Sequence, residues 1–294
     1  MFEKIKKSQV DTHTPPAILP RRDFLRRAGL GALAIVAAAC GKKSEETGNR
    51  VENFEPRIET KEYVIGDKRI VVSHTIFGNG QLFFNMHDNE KTSVDTAMPF
   101  IKQLGGSFLH IENEGERLIS FQFEGNNFLF DPNRIFNAYG VKNTLRFCTP
   151  RYNGIPERTK HAVENMISRF AQQLVRDFRL AQQKVLITLH NNTPDGSLTI
   201  ESEAHSDEVK DANINPNQDH DDMIFVTHER DFLALSAEGY NVILHNPNTN
   251  NTDGSLVAFA SLHKIRYVNV DAQNGHSEQQ TQMYASVLKL LQSP

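Results

Sequence analysis

The stretch LFFNMHDNEKTSVDTA, residues 82–97, contains the junction that decides the fold. Its apolar run, Leu82 to Phe84, is typical of a buried β-strand and leads directly into a histidine and two acids. A helical pattern then begins near residue 92. In α/β folds, ligands bind in the crevice beyond the carboxyl ends of the strands. The junction therefore predicts a layered α/β fold with a site at its polar turn.

The same alternation continues along the chain from about residue 60. Ten short apolar segments are predicted strands: residues 61–66, 69–77, 81–87, 107–113, 117–124, 126–131, 184–190, 223–228, 241–246 and 266–271. Five amphipathic segments are predicted helices: residues 92–104, 157–180, 229–238, 254–262 and 277–292. Strands interleaved with helices predict a three-layer α/β/α sandwich around a mixed, mostly buried β-sheet.

Composition sets the limits for this domain. The chain has 294 residues, of which 38% are hydrophobic and 23% are charged, and this is enough for one large domain or two small ones. The net charge of −4 argues against a nucleic-acid partner, which normally requires a basic face. The acidic stretch 201–222 is predicted to be a solvated loop, with cation binding as the alternative.

The first 39 residues have the pattern of a targeting segment. PRRDFLRR, residues 20–27, precedes the apolar run AGLGALAIVAAA, residues 28–39, which is too short to span a bilayer. Paired Arg21 and Arg22 resemble the twin-arginine export signal of bacteria. The resemblance implies the twin-arginine export machinery as a partner and a place outside the cytoplasm.

Cys40 follows small residues and precedes a glycine, as in lipoprotein precursors. We expect it to be lipidated, which would anchor the chain to a membrane in the periplasm or cell envelope; a simple cleaved signal is the alternative. Residues 40–59 are a predicted polar tether, and residues 60–294 a predicted catalytic domain. Cys148 is the second of two cysteines and is predicted to be a buried apolar side chain.

Polar residues end several of the predicted strands. They are His87 and Glu90, Asn133 and Arg134, His190, and Asp271. Zinc accepts imidazole nitrogen and carboxylate oxygen, and two histidines with one glutamate leave a fourth position open. The H-x-x-E spacing alone also occurs in exposed polar turns. Two further strand-end histidines, His228 and His245, could face the same crevice, although a structural hydrogen-bonding role is the simpler interpretation.

A second motif strengthens the zinc interpretation. FDPNRIF, residues 130–136, resembles the D-x-N-R-x-F signature of the zinc carboxypeptidase superfamily, which includes carboxypeptidase A and the succinylglutamate desuccinylase and aspartoacylase deacylases. The order of H-x-x-E, N-R, a lone histidine and a late carboxylate is similar to that family, over about residues 60–292. The resemblance implies a carboxypeptidase-like fold in which zinc is bound by His87, Glu90 and His190.

The resemblance also implies roles for the remaining residues. Asn133 and Arg134 would bind a substrate carboxylate or polarise the scissile carbonyl. The family has a glutamate as general base, whereas this chain has Asp271 at that position. Glu278 is the alternative acid, although an acid there also suits the start of the last helix.

These observations predict an exported zinc-dependent hydrolase that cleaves an amide bond in a peptide or acylated amino acid. The shorter Asp271 favours an alternative, a non-catalytic surface lipoprotein of the same fold that binds peptide or cell-wall fragments. A third interpretation treats the strand ends as unrelated loops of a binding protein, and it predicts that His87, Glu90 and His190 lie far apart.

Overall fold

The computed structural model describes residues 55–193, 198–248 and 252–292. The chain divides into two units, Met1–Asn53 and Phe54–Pro294, and all described residues belong to the second. The predicted signal segment, Cys40 and most of the predicted tether lie outside the described residues. None of the helices in the described ranges combines the length and the apolar character needed to cross a membrane.

A mixed sheet forms the centre of the second unit. The described strands are β1 (Arg57–Ile65), β2 (Lys68–Ile76), β3 (Leu82–Asn85), β4 (Ser107–Glu112), β5 (Ile119–Phe123), β6 (Asn126–Phe130), β7 (Val185–Asn192), β8 (Val209–Asn213), β9 (Met223–Val226), β10 (Val242–His245) and β11 (Arg266–Gln273). The described strands of the main sheet follow the order β1-β2-β4-β3-β7-β11-β9-β10-β8. Strand β3 is parallel to β4 and β7, β7 to β11, and β9 to β10. Strands β5 and β6 pair separately as an antiparallel hairpin.

Helices cover both faces of the sheet. In the described part of the chain they are α1 (Lys91–Gln103), α2 (Ala138–Cys148), α3 (Glu157–Asp177), α4 (Ile200–Ala204), α5 (Glu229–Ala237), α6 (Leu256–Leu262) and α7 (Ser277–Gln292). Neighbouring side chains of a strand point to opposite faces. Phe84 accordingly packs in one core cluster with α2, α3 and α6, and Phe83 in another with α1, α5 and α7. The predicted three-layer α/β/α sandwich with a mixed, mostly buried sheet is confirmed.

The central strands bring the predicted site residues together. All four residues of β3 are buried, as expected for a strand covered on both faces. The parallel pairing of β11 with β7 sets Asp271 opposite His190, so both side chains lie on the same face. Tyr267 lies four residues before Asp271 on β11, so both side chains lie on the same face of the sheet. Tyr267 belongs to the core cluster that contains α2, α3 and α6. The site therefore lies on that side of the sheet, at the carboxyl ends of β3 and β7.

Three elements were not predicted from the sequence, and a fourth begins earlier than expected. Helix α2 was not predicted, and neither were α4 and β8, which form within the acidic stretch 201–222 that we expected to be a loop. A reciprocal cap between Thr199 and Ser202 begins α4, and β8 pairs with β10 at the sheet edge. Strand β1 begins at Arg57, three residues before the predicted domain boundary at residue 60.

Helix α2 touches the backbone of the loop before α6. A Cβ atom on Gly140 would lie 2.5 Å from Gly254 Cα and 2.6 Å from Arg134 O. Gly254 also has a φ of +80°, which favours glycine. Phe136 N donates a hydrogen bond to Gly254 O at 3.0 Å. The loop that contains Asp253 is therefore fixed against α2 and against the turn at Pro132–Arg134.

Candidate metal and catalytic site

Three predicted ligand side chains converge at the carboxyl ends of β3 and β7. His87 follows β3, Glu90 immediately precedes α1, and His190 lies in β7. His87 Nδ1 is 2.8 Å from Glu90 Oε1 and 3.2 Å from His190 Nδ1, which is 2.9 Å from Glu90 Oε2. Ligands about 2.0–2.1 Å from a tetrahedral ion are about 3.3 Å from one another. Within the described ranges, this is the only cluster of His, Cys, Asp and Glu ligand atoms close enough to hold a metal ion.

Asp131 sets the tautomer of the first histidine. His87 Nε2 donates a hydrogen bond to Asp131 Oδ1 at 2.7 Å, which leaves Nδ1 as the ligand atom. Burial lowers the pKa of His87, but the carboxylates of Glu90 and Asp131 more than offset this and raise it to about 9. The two carboxylates thus hold positive charge at this position. Asp131 is the first residue of the D-x-N-R motif, but its contact with His87 was not foreseen from the sequence.

Arg117 is a second residue that sequence reasoning missed. Its guanidinium contacts Glu90 Oε1 directly, and its Nη2 lies 3.6 Å from Asp131 Oδ2. Because 46% of its side chain is exposed, the guanidinium remains accessible from solvent. Arg117 precedes β5, in the hairpin outside the main sheet, and no local motif marks it. It places a fixed positive charge beside the candidate metal site.

Asp271 lies next to the ligands, as predicted. It is 5% exposed, and its Oδ1 has no hydrogen-bond partner among the described residues. Burial, together with the nearby Glu90 carboxylate, raises the pKa of Asp271 well above its usual range. A hydrogen bond from the Asn269 side chain acts in the opposite direction. This carboxyl group is a candidate proton acceptor and donor for a reaction at the site.

The site opens into a cavity of about 220 Å³. Its lining includes the ligands Glu90 and His190, the candidate base Asp271, and Arg117. A larger adjoining cavity of about 720 Å³ is lined by part of α2 and shares four residues with the first: Arg134, Ser206, Glu208 and Asp253. The two cavities therefore adjoin at the wall that contains Arg134.

Asn133 and Arg134 line the cavity but are engaged in the protein itself. Asn133 Oδ1 accepts a hydrogen bond from Leu256 N at the start of α6, at 3.0 Å. Arg134 Nη1 forms an ion pair with Asp253 Oδ2 at 3.1 Å. The N-R pair of the motif thus lines the cavity, but the charge of its guanidinium is already balanced by a carboxylate.

Glu278 lies apart from the other predicted site residues. It is exposed in the first turn of α7, as expected for a helix-initiating acid, and it does not line the cavity. Its alternative role as the catalytic acid stays a prediction. Cys148 is half-buried in the wall of the larger cavity, and burial raises the pKa of its thiol. His245 lines the smaller cavity, whereas His228 precedes α5 and is exposed.

Comparisons with known proteins found structures of low similarity. No family profile matches the chain, and no curated protein does. A succinylglutamate desuccinylase/aspartoacylase from Rhodobacter sphaeroides is 10% identical with a TM-score of 0.38, covering 80% of this chain and 65% of its own. An aspartoacylase family protein from Mesorhizobium loti is 12% identical with a TM-score of 0.34, covering 78% and 67%. The chain thus spans about two thirds of the length of these structures, and similarity of this degree assigns it no activity.

Proposed function

We propose that the chain is a zinc-dependent hydrolase that cleaves an amide bond in a peptide or an N-acyl amino acid. The observation that carries the proposal is the convergence of His87 Nδ1, His190 Nδ1 and the Glu90 carboxylate at distances of 2.8–3.2 Å in a buried site. Two imidazoles and one carboxylate form a ligand set that suits catalytic zinc.

The residues around the convergence fit a bound cation. His87, Glu90 and His190 would hold the ion, and the contact of Asp131 with His87 Nε2 orients the ring so that Nδ1 faces the other two ligands. When bound, zinc supplies a Lewis acid that polarises a carbonyl oxygen and lowers the pKa of water.

The neighbouring side chains supply the remaining chemistry. Asp271 would accept a proton from the attacking water and then donate it to the leaving amine, a role that suits a carboxyl group with an unpartnered oxygen in the cavity. Arg117 is the cation best placed to stabilise negative charge on the carbonyl oxygen, because it contacts Glu90 and is accessible from solvent. We assign this role to Arg117 rather than to Arg134, because Arg117 contacts the proposed ligand Glu90, whereas Arg134 is paired with Asp253, which is not a proposed ligand.

The proposal extends to the location of the protein. Arg21 and Arg22 before a short apolar run support twin-arginine export, and Cys40 supports a lipid anchor. These residues lie outside the described ranges. An exported amide hydrolase would meet peptides and acylated amino acids in the periplasm or cell envelope.

The decisive experiment measures zinc and turnover in the same protein preparation. We expect about one zinc ion per chain and hydrolysis of at least some members of a panel of peptides and N-acyl amino acids. The double variant His87→Ala/His190→Ala should lose both the zinc and the turnover. The matched control, His161→Ala/His220→Ala, removes two exposed histidines and should retain both. Stoichiometric zinc in the first double variant would contradict the proposed ligand set.

A second candidate is a non-catalytic binding protein of the same fold. The observation that favours it is the raised pKa of Asp271, because a protonated carboxyl group cannot accept a proton from water. This candidate predicts bound zinc without turnover on any amide of the panel. It also predicts that Asp271→Asn leaves ligand affinity unchanged.

A further inference from the structure

Two buried polar side chains beyond the ligands each have one polar atom without a partner in the described part of the chain. Asn269 is 7% exposed and its Oδ1 has no hydrogen bond; His245 is 4% exposed and its Nδ1 has none. Both residues line the smaller cavity. Leaving a buried polar atom unsatisfied costs about 1–3 kcal/mol, and proteins accordingly satisfy nearly all of them. Two such atoms in one cavity give it the capacity to bind a polar group.

The charge of the surrounding wall indicates the sign of that group's charge. Three acids line the same cavity: Glu203 and Glu208, on either side of the turn between α4 and β8, and Asp253, before α6. Glu208 Oε1 accepts a hydrogen bond from Asp253 N at 2.6 Å, so the two residues are fixed side by side. Among the basic side chains of this part of the lining, Arg134 is already paired with Asp253. The wall thus has more carboxylates than cations.

The geometry favours hydrogen-bond acceptance over metal binding. The three acids do not belong to any group of ligand atoms close enough to hold an ion, within the described residues. The side-chain hydrogen bond of Asn269 to Asp271 fixes its amide with the nitrogen toward that carboxyl group, which leaves Oδ1 as an acceptor. An amide oxygen among carboxylates matches a primary ammonium group, which has three donors and no acceptor.

We infer that this cavity selects substrates with a positively charged amine on the side chain next to the scissile amide, and that Glu208, Glu203 and Asp253 determine this specificity. The inference rests on the proposed hydrolase function. A substrate carboxylate at the same place would meet three acids and a guanidinium that Asp253 already neutralises, so it would be rejected.

The test uses three probes that differ only in the side chain: Nα-acetyl-lysine, Nα-acetyl-norleucine and Nα-acetyl-glutamate. Affinities are measured by calorimetry on the zinc-loaded Asp271→Asn protein, in which the ligand remains intact, and turnover on the wild-type protein. We expect the lysine probe to bind about 10- to 100-fold more tightly than the norleucine probe, as charge-assisted hydrogen bonds allow, and the glutamate probe to bind most weakly.

Two substitutions identify the residues responsible. Glu208→Gln should reduce the preference for lysine over norleucine about 10-fold. Glu203→Gln should act in the same direction, and it provides a second test if the loss of the Glu208 contacts prevents folding. The matched control is Glu201→Gln, since Glu201 lies in the same helix but pairs with His220 outside the cavity. It should leave all three affinities unchanged.

The outcomes separate the inference from the function on which it rests. Tight binding of the lysine probe without hydrolysis of any amide would support the charge selection and overturn the hydrolase proposal. Hydrolysis with equal use of the three probes, or with a preference for glutamate, would support the hydrolase and overturn the inference. A lysine preference that persists unchanged in both Glu208→Gln and Glu203→Gln would overturn the assignment of the selecting residues.

Discussion

Two buried aspartates, one near each end of strand β11, differ in their hydrogen-bond partners. At its start, Arg266 forms a two-pronged ion pair with the fully buried Asp231, at 2.6 and 2.7 Å. At its other end, Asp271 is nearly as buried, yet one of its oxygens has no partner among the described residues. Both oxygens of Asp231 are paired with Arg266, whereas Oδ1 of Asp271 is available to accept a proton. The two sites lie at opposite ends of the same strand.

The contrast distinguishes a structural carboxylate from a functional one. The ion pair between Asp231 and Arg266 joins helix α5 to the sheet, so we expect it to affect the free energy of unfolding. A buried acid with an unpartnered oxygen does not add to stability, and such groups cluster at sites where a reaction needs a proton acceptor. The two ends of β11 should therefore respond to the same Asp→Asn substitution in different measurements.

The largest effect is expected for Asp271→Asn. Removal of the proposed general base should lower kcat by roughly 10²- to 10⁴-fold, the usual contribution of general acid–base catalysis. The free energy of unfolding should change by less than about 1 kcal/mol, because the lost oxygen has no partner. Steady-state kinetics and urea unfolding check the two halves of this prediction. Undiminished kcat would remove Asp271 from the mechanism.

The next effect is expected for Asp231→Asn, in stability instead of rate. The substitution leaves the largely buried guanidinium of Arg266 without a countercharge, which should cost about 3 kcal/mol in the free energy of unfolding. The folded fraction should keep its kcat within about twofold, because Asp231 does not line the cavity. Urea unfolding monitored by circular dichroism measures the loss. A variant as stable as the wild type would contradict the structural role assigned to the ion pair of Asp231 with Arg266.

The smallest effect is expected for Asp131→Asn, which keeps the shape of the side chain but removes the charge opposite His87 Nε2. Outer-shell carboxylates of this kind typically contribute 10- to 100-fold to metal affinity, so we expect zinc affinity to fall by about 10-fold. Competition with a chromogenic chelator measures it. The control is Asp88→Asn, since Asp88 pairs with His110, 2.9 Å away, and contacts no ligand side chain. Equal losses in both variants would argue against a specific orienting role for Asp131.

Most of the fold could be predicted from the local sequence, and the exceptions have physical reasons. All ten predicted strands are present because runs such as Leu82–Phe84 are apolar enough to require burial. Helix α2 was missed because Gly140, Asn143 and Thr144 are poor helix formers, and its position depends on packing against the Gly254 loop. Strand β8 is short and lies at the sheet edge, where its few apolar side chains give little periodic signal.

The residues of the candidate site also include some that could be predicted from the local sequence and some that could not. His87, Glu90, His190 and Asp271 could be predicted because each lies near the carboxyl end of a strand and belongs to a recognisable order of motifs. Arg117 could not, because it reaches Glu90 from a separate hairpin. Nor could the pairing of Arg134 with Asp253, which joins residues more than a hundred positions apart. Contacts between distant segments depend on how the layers of the fold pack together, and this packing is not encoded by any local sequence pattern.

The contact between Gly140 and Gly254 bears on how this chain could change its substrate during evolution. Because the two backbones touch, the loop before α6 cannot move without a change in α2, and residue 253 is presented from a fixed position beside Arg134. A single nucleotide change that replaces Asp253 with asparagine would therefore remove the countercharge of the Arg134 guanidinium without changing the backbone of the cavity wall. In descendants of this sequence that carry this substitution, the wall would contain two carboxylates instead of three, and the preference for amines would weaken, provided that both glycines were retained.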